Sequence, residues 1–274
     1  MDARLLGLLA EHEVLTTGQL QRLTGGCERT VQHRLGLLVR RGLVTRMRPA
    51  VARGTSPYLC WLTSPGATAI SATPMACDRS TARVRAVAVL NECWLAIGDQ
   101  TPGAEVELIS WQRTRDGLTF ADGGRDRRLG VDAMFTAHVA REGAAVAAAG
   151  LVLLDTGRLP GTRLAGPLVA FSRYLAARQT SEGLGEPPWL LVVTRSAYRA
   201  GCWLTAASDS GAACHRLAAS VASEVAGRLA VAVETAPSTR LVWAAVWQQP
   251  RGRAPVRLAE LLRGDARARR EPPQ

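Results

Sequence analysis

Apolar periodicity that shifts from helical to alternating predicts a mixed chain (α+β or α/β class) in two parts. A small helical domain closed by a β-hairpin comes first, and a larger mixed-sheet α/β domain follows it. Three observations carry this reading. Three short segments of helical spacing precede Gly42, and two strand-like runs then flank a loop rich in Pro, Gly and Arg. Beyond residue 79 strand candidates meander at first and then alternate with helices. Between the two parts, Ser64 to Asp78 contains Pro65, Gly66 and Pro74 and reads as a hinge with one short helix. The boundaries that follow are 1–76 for the first domain, 79–248 for the second and 249–274 for a basic tail.

In the first domain Leu5, Leu6, Leu8 and Leu9 open an amphipathic helix that ends near His12. Thr16 and Gln19 stand three residues apart, the spacing of a capping box, in which each side chain satisfies the other residue's free backbone N–H. The second helix turns Leu20 and Leu23 inward and stops at Gly25-Gly26. A third helix runs from about Glu28 to Arg41 with Val31, Leu35 and Leu38 on one face. Advancing about 100° per residue puts Arg29, His33, Gly36 and Arg40 on the opposite face, with Thr30, Gln32 and Arg41 at its edges. Leu43 to Arg48 reads as a strand, Pro49 to Pro57 as a loop tip carrying Arg53 and Gly54, and Tyr58 to Thr63 as the return strand. Together these elements read as a winged helix-turn-helix.

The exposed helix face has the chemistry that a duplex groove requires. Arginine pairs two donors with guanine and Gln32 can bridge the adenine edge. Gly36 removes a side chain where the helix would come nearest the duplex, and Arg46, Arg48 and Arg53 would reach phosphates or a minor groove from the hairpin. Between Glu28 and Arg53 there are seven arginines and one acid, which is lopsided for an ordinary solvated face. The expected DNA-binding residues are therefore Arg29, Gln32, His33, Gly36, Arg40, Arg41, Arg46, Arg48 and Arg53.

Charge along the chain agrees. The net charge of +11 comes from 34 basic residues, all arginine, in a chain with no lysine. Residues 1–77 carry nine arginines against four acids and residues 251–274 seven against three, while the centre is nearly neutral. Basic ends imply an anionic partner, with the arginines supplying the salt-sensitive part of affinity. The absence of lysine excludes a Walker-type phosphate loop, a Schiff base and a lysine-dependent nuclease centre. The 274 residues are 47% apolar, with no run near the roughly 20 that a membrane span needs. There is no signal-peptide pattern either, so a cytoplasmic protein is expected. Cys27, Cys60, Cys77, Cys93, Cys202 and Cys214 form no C-x-x-C pair, which predicts reduced, mostly buried thiols and no metal or other cofactor.

In the second domain a long helix is expected over about Arg79–Ile97, with Val84, Val87, Leu90 or Asn91, and Trp94 at helical spacing. Strands follow at Glu105–Trp111, Val131–Val139 and Val146–Leu154, then a helix at Leu164–Arg178 and a strand at Trp189–Thr194. A helix over Ala212–Leu229 and strands at Ala230–Glu234 and Leu241–Trp247 complete the order. In the tail, Val256–Leu262 reads as one helical turn or two, within a mobile basic arm that ends in Arg263, Arg267, Arg269 and Arg270.

This order and several local motifs resemble the replication-relaxation family of plasmid and mobile-element proteins. The motifs are Leu43-Val44 before the wing, Leu62-Thr63-Ser64-Pro65-Gly66 after it, Glu105 to Trp111, Val131-Asp132-Ala133, and Leu153-Leu154-Asp155-Thr156-Gly157 ahead of a helix containing Tyr174. The resemblance covers roughly residues 5–247. It implies a winged helix coupled to a domain resembling the restriction-endonuclease fold. A nuclease of that fold uses carboxylates to hold a divalent ion and usually a lysine to position water. Glu105 and Asp132 stand where the first acids would be. The acid and lysine positions of the next strand fall on Leu153 and Asp155, so Glu105, Asp132 and Asp155 are candidates only for a vestigial centre. Asp155-Thr156-Gly157 also fits a plain strand-end turn.

Weaker patterns carry less. Gly157-x-x-x-Gly161 lacks the lysine of a phosphate loop. Asp209, Ser210 and His215 lack the Gly-x-Ser-x-Gly elbow of a hydrolase. His138 reads as a satisfied or exposed strand residue, and Trp243 and Trp247 as core. The function expected is that of a non-enzymatic DNA-binding accessory protein of a plasmid or mobile element, acting in replication, relaxation or transfer. Its partners would be double-stranded DNA, a replication or transfer protein and a second copy of the chain, with no membrane. The alternatives are a winged-helix transcriptional regulator and, third, a metal-dependent nuclease.

Overall fold

A computed structural model of the chain describes residues 1–50, 56–72, 80–98, 105–114, 116–141, 144–179, 186–208, 225, 227–233, 247–250 and 255–263. The chain divides into two units, Met1–Leu95 and Ala96–Gln274. In the first unit the order is α1 (Asp2–His12), β1 (Leu15–Thr16), α2 (Thr17–Thr24), α3 (Glu28–Arg40), β2 (Val44–Met47), β3 (Leu59–Leu62) and α4 (Ser64–Ala69). Helix α5 (Thr81–Gly98) follows, and its last three residues belong to the second unit.

Local chemistry sets these boundaries. The Thr16 hydroxyl accepts from the Gln19 N–H at 3.1 Å, and the Gln19 side chain accepts from the Thr16 N–H at 2.8 Å, which closes the expected capping box. Gly25 ends α2 with φ at 65°, a left-handed conformation that suits glycine. Val31, Leu35 and Leu38 of α3 are buried with Leu5, Leu9 and Leu20 in one core. Strand β3 pairs antiparallel with both β1 and β2, giving the order β1-β3-β2. All four of its residues are buried because both faces are covered. Cys60 and Leu62 join the core of α1, α2 and α3, while Leu59 and Trp61 pack with Val84, Val87 and Ala88 of α5.

That second cluster corrects the domain boundary. The long helix expected at the head of the second domain belongs mainly to the first unit, which runs to Leu95. Periodicity fixed the helix but not its partner. Polar contacts supply the rest: Asn91 Nδ2 donates to the carbonyls of His12 at 2.8 Å and Val14 at 2.7 Å. Gln19 Nε2 donates to the Ala88 carbonyl at 2.9 Å and to Glu92 at 2.8 Å.

In the second unit β4 (Val106–Arg113), β7 (Ala133–Arg141) and β8 (Ala144–Asp155) form an antiparallel meander, and β9 (Trp189–Thr194) and β10 (Leu229–Val233) extend it in parallel. The five-stranded order is β10-β9-β8-β7-β4, so the expected mixed sheet is present. Between β4 and β7 lies a separate hairpin, β5 (Leu118–Asp122) and β6 (Arg125–Leu129). Helix α6 (Ala165–Gln179) connects β8 to β9, and α7 (Ala197–Ser208) follows β9. Leu168, Phe171, Trp203, Leu151, Val192 and Val231 share one core on a face of the sheet. On the opposite face Gly150 lies across from Phe135, and an added Cβ would stand 2.3 Å from its ring.

Several expectations are corrected. The β5–β6 hairpin and α7 were not foreseen, and Leu229 begins β10 rather than ending a helix. The tail reading is narrowed, because Val256 bridges Trp247, and α8 (Leu258–Leu262) buries Leu258, Ala259, Leu261 and Leu262. Residues 264–274, Arg53, most of the expected helix at 212–229, the strand at 241–246, Cys77, Cys214, Trp243 and the Asp209, Ser210, His215 set lie outside the described residues. Among the described residues no helix is long and apolar enough to cross a membrane.

Candidate functional site

Helix α3 reaches the surface through the turn Gly25–Cys27, and its buried stripe fixes which face looks outward. Arg29, Gln32, His33, Arg40 and Arg41 are exposed, as expected. Gly36 is half-buried, and a Cβ there would meet only Arg40 Nη1 at 4.0 Å, so the helix surface is low at its middle. Gln32 Nε2 donates to Glu28 at 2.7 Å, a local contact one turn away. Arg34, also exposed, lies 3.9 Å from Asp2.

Arg46 of β2 is placed by strand alternation, and Arg48 follows one residue beyond the strand. Val44 lies opposite Leu62 and Arg46 opposite Cys60, and opposed residues of an antiparallel pair share a face. Leu62 and Cys60 pack on the helices, so Arg46 emerges on the helix side of the sheet, the same side as α3. Both guanidiniums lie over the ring of Tyr58, Arg46 at 4.3 Å and Arg48 at 4.1 Å from its centroid. Tyr58 is half-buried against the helical core, and its carbonyl accepts from the Thr17 N–H at 3.3 Å. Sequence reading placed Tyr58 in the return strand but missed its contact with the arginines, because the intervening loop hides the register.

Among the described residues Arg29, Arg40, Arg41, Arg46 and Arg48 have no acidic partner. Exposed arginines without an acidic partner also occur among the described residues at Arg83, Arg125, Arg158, Arg163, Arg173 and Arg195; this surface differs in gathering five of them within residues 29–48. Elsewhere Arg22 pairs with Glu92 at 2.5 Å, Arg228 with Glu186 at 3.6 Å, and Arg257 and Arg263 with Glu105, each at 3.4 Å. Two thiols near this surface differ. Backbone N–H groups of Thr30 and Arg29 hold the exposed Cys27 thiol below its ordinary value. Burial pushes Cys60 up to about 12, against a smaller opposing effect of Arg46.

The three carboxylates considered for a vestigial centre are not brought together. Val106 pairs with Val139 and Arg113 with Ala133, so Glu105 and Asp132 sit at opposite ends of the β4–β7 pair, roughly 25 Å apart at the ordinary strand rise. Glu105 is engaged by Arg257 and Arg263, and Asp132 accepts from the Leu154 N–H at 2.8 Å. Asp155 is buried at the end of β8 and accepts from Arg199, from Trp203 Nε1 at 2.7 Å and from the Gly157 N–H at 2.9 Å. Burial alone would push its carboxyl up, but the hydrogen bonds from Arg199, Trp203 and Gly157 outweigh it and hold the group below its ordinary value. This cluster ties β8 to α7. No group of three His, Cys, Asp or Glu able to hold a metal occurs among the described residues. His138 is half-exposed, 3.7 Å from Glu107.

A family model described as Replication-relaxation matches residues 6–185. No curated protein and no solved structure matches the chain.

Proposed function

The chain belongs to the replication-relaxation family, whose role is replication-related, and on that premise we propose that it is a non-enzymatic DNA-binding accessory protein of a plasmid or mobile element. The observation that carries the proposal is the concentration of five exposed arginines on α3, at its C-terminal end, on β2 and just after it, all without acidic partners among the described residues. Unpaired arginines on one surface raise the local concentration of an anion and release counterions from a phosphate backbone on binding. The element order α1-β1-α2-α3-β2-β3 and the sheet order β1-β3-β2 support reading this unit as a winged helix-turn-helix. Helix α3 would then enter a major groove, with its low middle at Gly36 allowing close approach, while β2 meets the flanking backbone.

The second unit, on this reading, is a restriction-endonuclease-like scaffold kept for binding a replication or transfer protein or a second copy. Two observations support a non-catalytic role: the chain has no lysine, and the β4–β7 register holds Glu105 far from Asp132. An electrophoretic shift with a randomised duplex pool at near-physiological salt, followed by sequencing of the retained DNA, tests the function. An enriched motif beside a replication or transfer origin is the expected result. A motif at a promoter would favour the transcriptional regulator instead, and no retention even at low salt would overturn DNA binding.

A further inference from the structure

We propose that Tyr58 is a positioning residue, whose ring holds the Arg46 and Arg48 guanidiniums as a stacked pair that takes a phosphodiester oxygen of the nucleic-acid backbone. The inference rests on the DNA-binding reading and deepens it. Arg46 is on β2 and Arg48 lies two residues on, one past the strand's last residue, yet both guanidiniums are brought to the same ring. Two like charges in that arrangement repel and would spread apart in water. Both instead lie within 4.3 Å of one ring centroid. The ring's negative face attracts both cations, and a guanidinium lying over it keeps its in-plane N–H edge free for two hydrogen bonds to a phosphate.

The ring is itself fixed. Tyr58 packs against the helical core, and its carbonyl takes the first N–H of α2, so the backbone that carries it is held to the helices. No ion pair competes for either arginine among the described residues. Tyr58 therefore lowers the freedom that two long side chains would otherwise lose on binding.

Fluorescence anisotropy with a labelled duplex of mixed sequence, on the full chain, tests this. Tyr58→Leu is expected to weaken binding about ten-fold, whereas Tyr58→Phe, which keeps the ring, stays within about two-fold of the wild type. In an Arg46→Ala/Arg48→Ala background, Tyr58→Leu should cause no further loss. Should Tyr58→Leu fail to fold by circular dichroism, Arg46→Lys/Arg48→Lys with Tyr58 intact serves instead. Lysine keeps the charge but stacks poorly, and a several-fold loss is expected. Wild-type affinity in Tyr58→Leu or in the lysine variant overturns the proposal. So does a Tyr58→Phe loss as large as that of Tyr58→Leu, or an equal loss in the arginine-free background. Wild-type protein that binds no duplex at all would instead sink the underlying DNA-binding reading.

Discussion

Gly66 lies so close to Leu43 that an added Cβ would stand 1.9 Å from the Leu43 carbonyl oxygen. The approach is made by Thr63, whose N–H donates to Leu43 O at 3.1 Å and whose hydroxyl accepts from the Gly66 N–H at 3.1 Å. The Leu62-Thr63-Ser64-Pro65-Gly66 motif thus clamps α4 onto the turn between α3 and β2. Gly66→Ala should destabilise the first unit by about 3 kcal/mol, since backbone rather than a side chain has to move. Urea unfolding followed by circular dichroism would measure it, and a wild-type midpoint would refute the close approach.

Gln19 is a buried junction with both ends in use. Its Oε1 caps α2 and its Nε2 reaches Ala88 and Glu92 on α5. Gln19→Ala removes the partner of the Thr16 N–H and of a buried carbonyl, at a cost of about 1–3 kcal/mol. Hydrogen exchange should quicken in both α2 and the middle turns of α5. Exchange confined to α2 would mean that the α5 contact contributes nothing.

Asp155 and Arg199 are nearly buried together, with side chains 4% and 12% exposed. Asp155→Ala leaves the guanidinium uncompensated and should cost about 3–5 kcal/mol. The folded carboxyl is held below its unfolded value of about 3.9. Its contribution is therefore complete above that pH and is lost as pH falls through the lower folded value. Chemical denaturation between about pH 5 and pH 2 should show a steeper loss for the wild type than for Asp155→Asn. Parallel curves would count against the ion pair.

Thiol reactivity should separate Cys27 from Cys60. Cys27 is exposed with a lowered pKa, while Cys60 is buried and raised to about 12. Brief alkylation of the native protein near neutral pH, read by peptide mass spectrometry, should mark Cys27 and spare Cys60. Preferential labelling of Cys60 would contradict the burial of β3.

The sequence made some of this legible because the responsible interactions are local. Thr16 and Gln19 cap one helix from three residues apart, and residues 189–193 are a short continuous apolar run of the kind that a strand covered on both faces carries. The β5–β6 hairpin escaped notice because β6 is almost wholly charged, although Asp122-Gly123-Gly124 carries a turn signal, with the two glycines at φ of 57° and 76°. Helix α7 was missed as well, though Ser196 accepts from the Arg199 N–H as a helix-starting serine does. Non-local facts were out of reach: which core takes α5, which residue Arg46 and Arg48 stack on, and that the β4–β7 register parts Glu105 from Asp132.

Duplex affinity of an Arg29→Ala/Arg40→Ala variant against the wild type, by anisotropy at near-physiological salt, tests the role of α3 most directly. Both residues are exposed on a face opposite the buried Val31, Leu35 and Leu38, so folding should be unaffected. DNA binding through this helix predicts an affinity about a hundred-fold lower with an unchanged thermal melt. Equal affinity in the two proteins would contradict it and remove α3 from the interface.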